Sequence, residues 1–286
     1  MQISKTRLTA VALLVTISLV PAVHAEEKQW AEVTVASEAS FPPWNLTKAD
    51  GTLDGYEAEL LNYFCDHLKI KCKMVTQSFD GIIPGLLAGK FDAAMSGMSV
   101  TEKRQETIAF SEAYGSTDQQ FVILSSSPLA DLPLKDKVFS LTNDEAGTVE
   151  ALKGLEPLIK GKTIGVQSAS IAASFLNKYL KDVVNVREYK STDQHDLDLK
   201  TGRIDLTLAS IAYQTTVSKK PGNDQFILVG PRLQGGILGN GVAVGLRKED
   251  TKLKAMFDEA IEAAKADGTM KKLSEKWFGF DATPKE

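Results

Sequence analysis

The chain is poor in the side chains that build metal centres. Its 286 residues hold three histidines and two cysteines, too few to assemble a zinc site of the usual kind. We expect no metal and no organic cofactor. His24 falls in an N-terminal segment that reads as removable, which leaves His67 and His195. Both read as surface positions on helices. Basic charge is not in excess either: 33 Lys and Arg stand against 37 Asp and Glu, for a net charge of −4. A nucleic-acid partner, which needs a basic footprint, is therefore not expected. The sequence carries no Gly-x-Ser-x-Gly elbow, no His-Glu-x-x-His helix and no phosphate loop. It has no internal repeat, and after the first 25 residues no apolar run of the ~20 residues needed to span a membrane.

What is present is globular in composition, with 43% hydrophobic and 24% charged residues. Lys5 and Arg7 precede an apolar run from Leu8 to Val20, which Pro21 breaks, and Val23-His24-Ala25 supplies a cleavage pattern. Residues 1–25 read as a secretory signal peptide. Export to an oxidising compartment makes Cys65 and Cys72 a disulfide candidate. They lie at the end of a helical stretch and the start of a strand.

Beyond the leader, two blocks share one order of elements. Strand Val33–Ser37, a helix over 55–68, strand Lys71–Gln77 and a short helix over 80–88 lead into strand 91–98. A strand at 161–166, a helix over 170–180, a strand at 184–189 and a helix over 193–201 lead into strand 204–209. Late strands at 226–229 and 241–246 precede amphipathic helices over 251–266 and 269–278. Stretch 125–160 is polar and weakly periodic and reads as an excursion of the second block. Alternating strands and helices imply an α/β fold of two lobes, each a mainly parallel sheet flanked by helices, with a ligand cleft between them.

Binding chemistry is legible where strands run into helices. Ser96-Gly97-Met98-Ser99 leaves a buried strand, and Ser99 with Glu102 fits a Ser-x-x-Glu capping box. Arg104 in the following turn can grip a carboxylate through two parallel hydrogen bonds. In the second block, Gln167-Ser168-Ala169-Ser170 opens another helix, with Ser170 as N-cap. Free backbone N–H groups at such ends favour anions. Glu38, with Phe41, Trp44 and Phe79 in nearby loops, suits a cation on an apolar stem.

At these residues the chain resembles the periplasmic polar amino-acid-binding proteins of ABC importers, the solute-binding protein family 3. The likeness is carried by Gly55-Tyr56-Glu57, Phe79-Asp80-Gly81-Ile82-Ile83-Pro84-Gly85-Leu86, Phe91-Asp92-Ala93-Ala94-Met95, Thr101-Glu102-Lys103-Arg104-Gln105 and Gly241-Val242-Ala243-Val244-Gly245-Leu246. Asp267-Gly268-Thr269 and Trp277-Phe278 complete it. The Cys65–Cys72 spacing is similar to the disulfide of the lysine/arginine/ornithine and histidine binders. Within the family the chain looks most like the octopine- and nopaline-binding proteins of opine uptake, through Gly165-Val166-Gln167, Glu188-Tyr189-Lys190-Ser191 and Gly230-Pro231.

The resemblance implies a receptor in a Gram-negative periplasm, a monomer that docks on an inner-membrane ABC permease. One lobe would span 26–117 plus 235–286 and the other 120–231, with hinge strands near 117–120 and 231–235. Arg104 would hold the ligand carboxylate, with Ser96, Gly97, Met98 and Ser99 beside it and Ala169 and Ser170 opposite. Glu38 would take the cationic end of the ligand, and Phe41, Trp44 and Phe79 would form an aromatic wall. Gln119, also a candidate contact, falls where opine binders vary, and Gln167 is similar to the nopaline-type pattern. Ser210 stands where basic amino-acid binders carry an Asp for the α-ammonium. Opines have a secondary amine flanked by two carboxylates and need less acid there. The expected ligand is an arginine-derived opine or a basic or polar amino acid. The alternatives are an arginine/lysine/ornithine/histidine binder of the same family, an enzyme such as a periplasmic cyclohexadienyl dehydratase on the same fold, and a soluble sensory module.

Overall fold

The structure, a computed structural model, describes residues 29–284; the expected signal peptide lies outside them. Strand Glu32–Ser37 places Val33 and Val35 on one face and Ala36 on the other, the period of two that a strand covered on both faces requires. It pairs in parallel with Lys71–Thr76 and Ala93–Ala94. Val242–Leu246 then joins Ala93–Ala94 and Ala109–Gly115 antiparallel, closing a five-stranded sheet. Helices Tyr56–Leu68, Thr251–Ala266 and Thr269–Phe278 bury Leu60, Phe64, Phe257 and Ile261 against the Val33/Val35 face. Helix Phe79–Leu87 covers the other face with Ile82 and Leu86. Each such side chain withdrawn from water contributes ~1.5–3 kcal/mol before the entropy of ordering it is subtracted. The Cys65–Cys72 disulfide ties the end of helix Tyr56–Leu68 to strand Lys71–Thr76.

A second sheet of six strands is built from 119–234. Asn185–Tyr189, Thr163–Gln167 and Leu206–Ser210 run parallel, and Gln119–Leu124 is antiparallel to both Leu206–Ser210 and Phe226–Gln234. Its core is Phe121, Ile123, Ile164, Val166, Phe175, Leu176, Leu206 and Leu208. This is the expected α/β architecture of mainly parallel sheets flanked by helices. No helix among the described residues is long and apolar enough to cross a membrane.

Several local expectations are corrected. Stretch 125–160 holds strand Val138–Ser140, at the edge of the second sheet, and helix Glu145–Ile159. That helix buries Thr148, Leu152, Leu155 and Ile159, a helical stripe that the surrounding charges obscure in the sequence. The strand read over 91–98 pairs only at Ala93–Ala94, because the chain leaves the sheet to form the cleft loop. The strand read over 226–229 continues to Gln234, with an irregularity between Val229 and Leu233 where Gly230 takes a positive φ of 65°. Ser99 does not cap the next helix: it bridges to Val242. Thr101 is the cap of the one-turn helix Glu102–Gln105 and accepts the Arg104 N–H at 3.2 Å.

Candidate functional site

Loops from the strand ends of both sheets converge on one cavity. Its empty space is about 530 Å³, counted out to the solvent at its mouth. Glu38, Phe41, Trp44, Phe79, Ser96, Gly97, Ser99 and Arg104 line it from the first sheet's side. Gln119, Gln167, Ser170 and Ser210 line it from the second. Two of the residues singled out in the sequence do not. Met98 is buried in the apolar layer around Ile82 and Leu86. Ala169 contributes its carbonyl to Arg104.

Arg104 is held by two backbone carbonyls and a ring face. Nη1 donates to the Ser99 carbonyl at 2.8 Å, and Nη2 reaches across the cleft to the Ala169 carbonyl at 3.1 Å. Its guanidinium carbon lies 5.5 Å from the centroid of the Phe79 ring, a cation–π distance. Ala169 takes φ 60°, a left-handed conformation uncommon outside glycine. Withdrawal from water lowers the Arg104 guanidinium to about 10. Among the described residues no carboxylate forms an ion pair with it. It is a positioned cation lacking an anion.

Glu38 is the reciprocal case. Its Oε2 accepts from Gln167 Nε2 at 2.6 Å, across the cleft. Its backbone N–H donates to Ser96 Oγ at 2.9 Å. Oε1 is buried with no hydrogen-bond partner. Burial pushes the carboxyl up to about 7, opposed by the Gln167 hydrogen bond. A buried carboxylate oxygen with no donor is costly, and a ligand cation would satisfy it.

The loop between these groups rests on a residue the sequence analysis assigned no role. Glu57, fully buried on helix Tyr56–Leu68, accepts the Gly97 N–H at 2.7 Å, Asn45 Nδ2 at 2.7 Å and the Tyr114 hydroxyl. Burial raises its carboxyl above the ordinary range. Gly97 has φ 58°, and a Cβ there would crowd the Phe41 ring at 3.0 Å, so glycine is favoured on both counts. The hint in the sequence was an acid in the first turn of a helix on its apolar face. Trp44 has no exposed surface. It packs on Tyr56, Tyr114 and Phe278 and backs the cavity from the core.

On the second side, Ser170 caps helix Ile171–Tyr179 as expected, accepting the Ala173 N–H at 3.1 Å. Ser210 caps helix Ile211–Ser218. His195 overturns its expectation. It is fully buried, not on the surface, and lines the cavity. It lies on the face of helix Thr192–Lys200 that turns inward with Thr192, Asp196 and Leu199. His67 is partly exposed and lies 3.7 Å from Glu259. Besides the two bonds already named, Thr192 Oγ1 approaches the Ser40 carbonyl at 3.4 Å and the Phe41 ring stacks on Tyr213, centroids 4.9 Å apart. The two sides touch around the cavity.

Two sheets that share one cavity, with Arg104 outside any ion pair and a buried Glu38 oxygen lacking a donor, form a site suited to a small charged solute. The chain belongs to the bacterial extracellular solute-binding proteins, family 3, whose model matches residues 33–280. It is 38% identical over 278 residues to the octopine-binding periplasmic protein of Rhizobium meliloti, covering 91% of this chain and 93% of that one. It is 32% identical to the L-arginine-binding protein of Pseudomonas aeruginosa, over 87% of this chain and 88% of the other. Among solved structures, an ancestral arginine-binding protein bound to arginine superposes with a TM-score of 0.73 at 29% identity, over 87% of this chain and 99% of that chain.

Proposed function

We propose that this protein is the periplasmic receptor of an ABC importer and that it captures an arginine-derived opine or a basic amino acid by closing its cleft. The observation that carries the reading is the pair of unsatisfied groups in one cavity: Arg104 without a carboxylate and Glu38 with a buried oxygen lacking a donor. A ligand with a carboxylate at one end and a guanidinium or ammonium at the other satisfies both. Phe41 and Phe79 would cover the aliphatic stem between. Ser170 and the N-terminus of helix Ile171–Tyr179 would add donors to the carboxylate.

In this reading one lobe comprises 26–117 and 235–286 and the other 120–231, moving about the strands near 117–120 and 231–235. The four contacts across the cleft belong to the closed form, which a permease would recognise. A ligand shifts the balance toward closure only by binding that form better than the open one. We read the site as one that holds its ligand without turning it over, in keeping with relatives named as binding proteins. The test is a thermal-shift panel on protein stripped of bound ligand by unfolding and refolding. A ligand at a thousand times its dissociation constant adds ~4 kcal/mol, roughly 8–16 °C for a chain of this size. A shift of that order with octopine, nopaline, arginine or lysine supports the reading. No shift with any of them, together with turnover of prephenate or arogenate, replaces it with an enzyme.

A further inference from the structure

The cavity carries one more group whose needs the chain does not meet. His195 is fully buried and lines the cavity, and neither ring nitrogen has a hydrogen bond. Nδ1 lies 3.0 Å from Asp196 Oδ1, while Asp196 Oδ2 accepts the Tyr213 hydroxyl at 2.5 Å. Tyr213 follows Ser210, the cap of helix Ile211–Ser218, and its ring is the one that Phe41 stacks on. Asp196 thus stands beside the imidazole, 3.0 Å from Nδ1, and Nε2 has no partner within the protein.

The charges in the cavity wall are unequal. Glu38 is the one carboxylate among the described residues that line it. Arg104 and His195 are two groups able to present positive N–H donors. A free amino acid with a cationic side chain brings two cations and one carboxylate, the wrong balance. A guanidinium ligand whose amine lies between two carboxylates brings the complement: one anion for Arg104, a second for His195 and the guanidinium for Glu38. The helix N-terminus at Ser210 adds partial positive charge on the same side.

We propose that His195, oriented by Asp196, is a ligand-reading residue that takes the second carboxylate of an N-carboxyalkyl arginine and selects it over arginine. The proposal rests on the reading of the site given above. The imidazolium form donates from both ring nitrogens, from Nδ1 toward Asp196 and from Nε2 toward a carboxylate. Tyr189 and Tyr213 pack edge-on to the ring.

The experiment is calorimetric titration of the refolded full chain with octopine and with arginine, for wild type and His195→Gln. We expect wild type to bind octopine more tightly than arginine. We expect His195→Gln to weaken octopine ~10-fold more than arginine. A wild-type preference for arginine overturns the proposal even if the variant fails to fold, as does equal weakening of both ligands. Binding of arginine without octopine overturns the proposal and spares the receptor reading. Binding of neither overturns both.

Discussion

Gln167 Nε2 donates to Glu38 Oε2 at 2.6 Å, joining a residue at the end of a second-sheet strand to one that follows the first strand of the other sheet. The bond satisfies half of the Glu38 carboxylate and leaves Oε1 to the cavity. The same residue thus helps close the cleft and holds an acceptor ready for a cation.

Because burial raises the Glu38 carboxyl to about 7, the folded protein binds that proton more tightly than the unfolded chain does. The stability it contributes is complete below the ordinary carboxylate value of 4.5 and is lost as pH climbs through about 7. Glu38→Gln cannot ionise. The melting temperature of the unliganded variant should gain on wild type as pH rises from about 5 to about 8. Arginine affinity should rise over the same range in wild type and stay flat in the variant. Differential scanning fluorimetry and calorimetry check the two halves.

Arg104 is anchored by two backbone carbonyls and a ring face. Arg104→Ala leaves a bound carboxylate without its charged partner. Carboxylate ligands should weaken by ~2–5 kcal/mol, read by titration. Unchanged affinity would remove Arg104 from the site. Arg104→Lys keeps the charge but loses the planar fork and should recover only part of the loss.

Ser210 caps helix Ile211–Ser218 and lines the cavity. Aspartate caps a helix as well as serine does, so Ser210→Asp should preserve the fold. It would place a carboxylate near the ligand amine. A primary α-ammonium should gain and a second carboxylate should lose, moving the arginine-to-octopine affinity ratio upward by ~1–3 kcal/mol in total. Competition between the two ligands measures it.

The disulfide spans seven positions and lies outside the cavity wall. Replacing both cysteines with serine should cost ~2–3 kcal/mol of stability, roughly a 4–12 °C lower melting temperature. Ligand affinity should be unchanged. Thermal melts with and without ligand separate the two effects.

Most of the site was legible because it lies where strands end and helices begin. Arg104 and Ser170 read from local order, Gln167 from the family resemblance, and Glu38 with its aromatics from charge beside rings. The rest was set by packing at a distance. His195 lies in a helix whose sequence, Thr-Asp-Gln-His-Asp-Leu-Asp, is so polar that it reads as solvated. Only the fold turns that polar face inward, against Tyr189, Tyr213 and the cleft. Glu57 reads as a favourable acid in a first helical turn, yet its partners Gly97 and Tyr114 lie 40 and 57 residues away. Helix Glu145–Ile159 is hidden in the sequence because charged residues surround its four buried ones and Gly147, Gly154 and Pro157 weaken its helical signal further.

The central claim is that the cleft reads a carboxylate and a cation on one molecule. The most direct measurement is calorimetric titration of the refolded protein with arginine, with agmatine, which lacks the carboxylate, and with citrulline, which lacks the charge. Arginine should bind, and each of the others should bind at least ~30-fold more weakly, the lower limit for a buried charge left unpaired. Agmatine or citrulline binding as tightly as arginine would contradict the account.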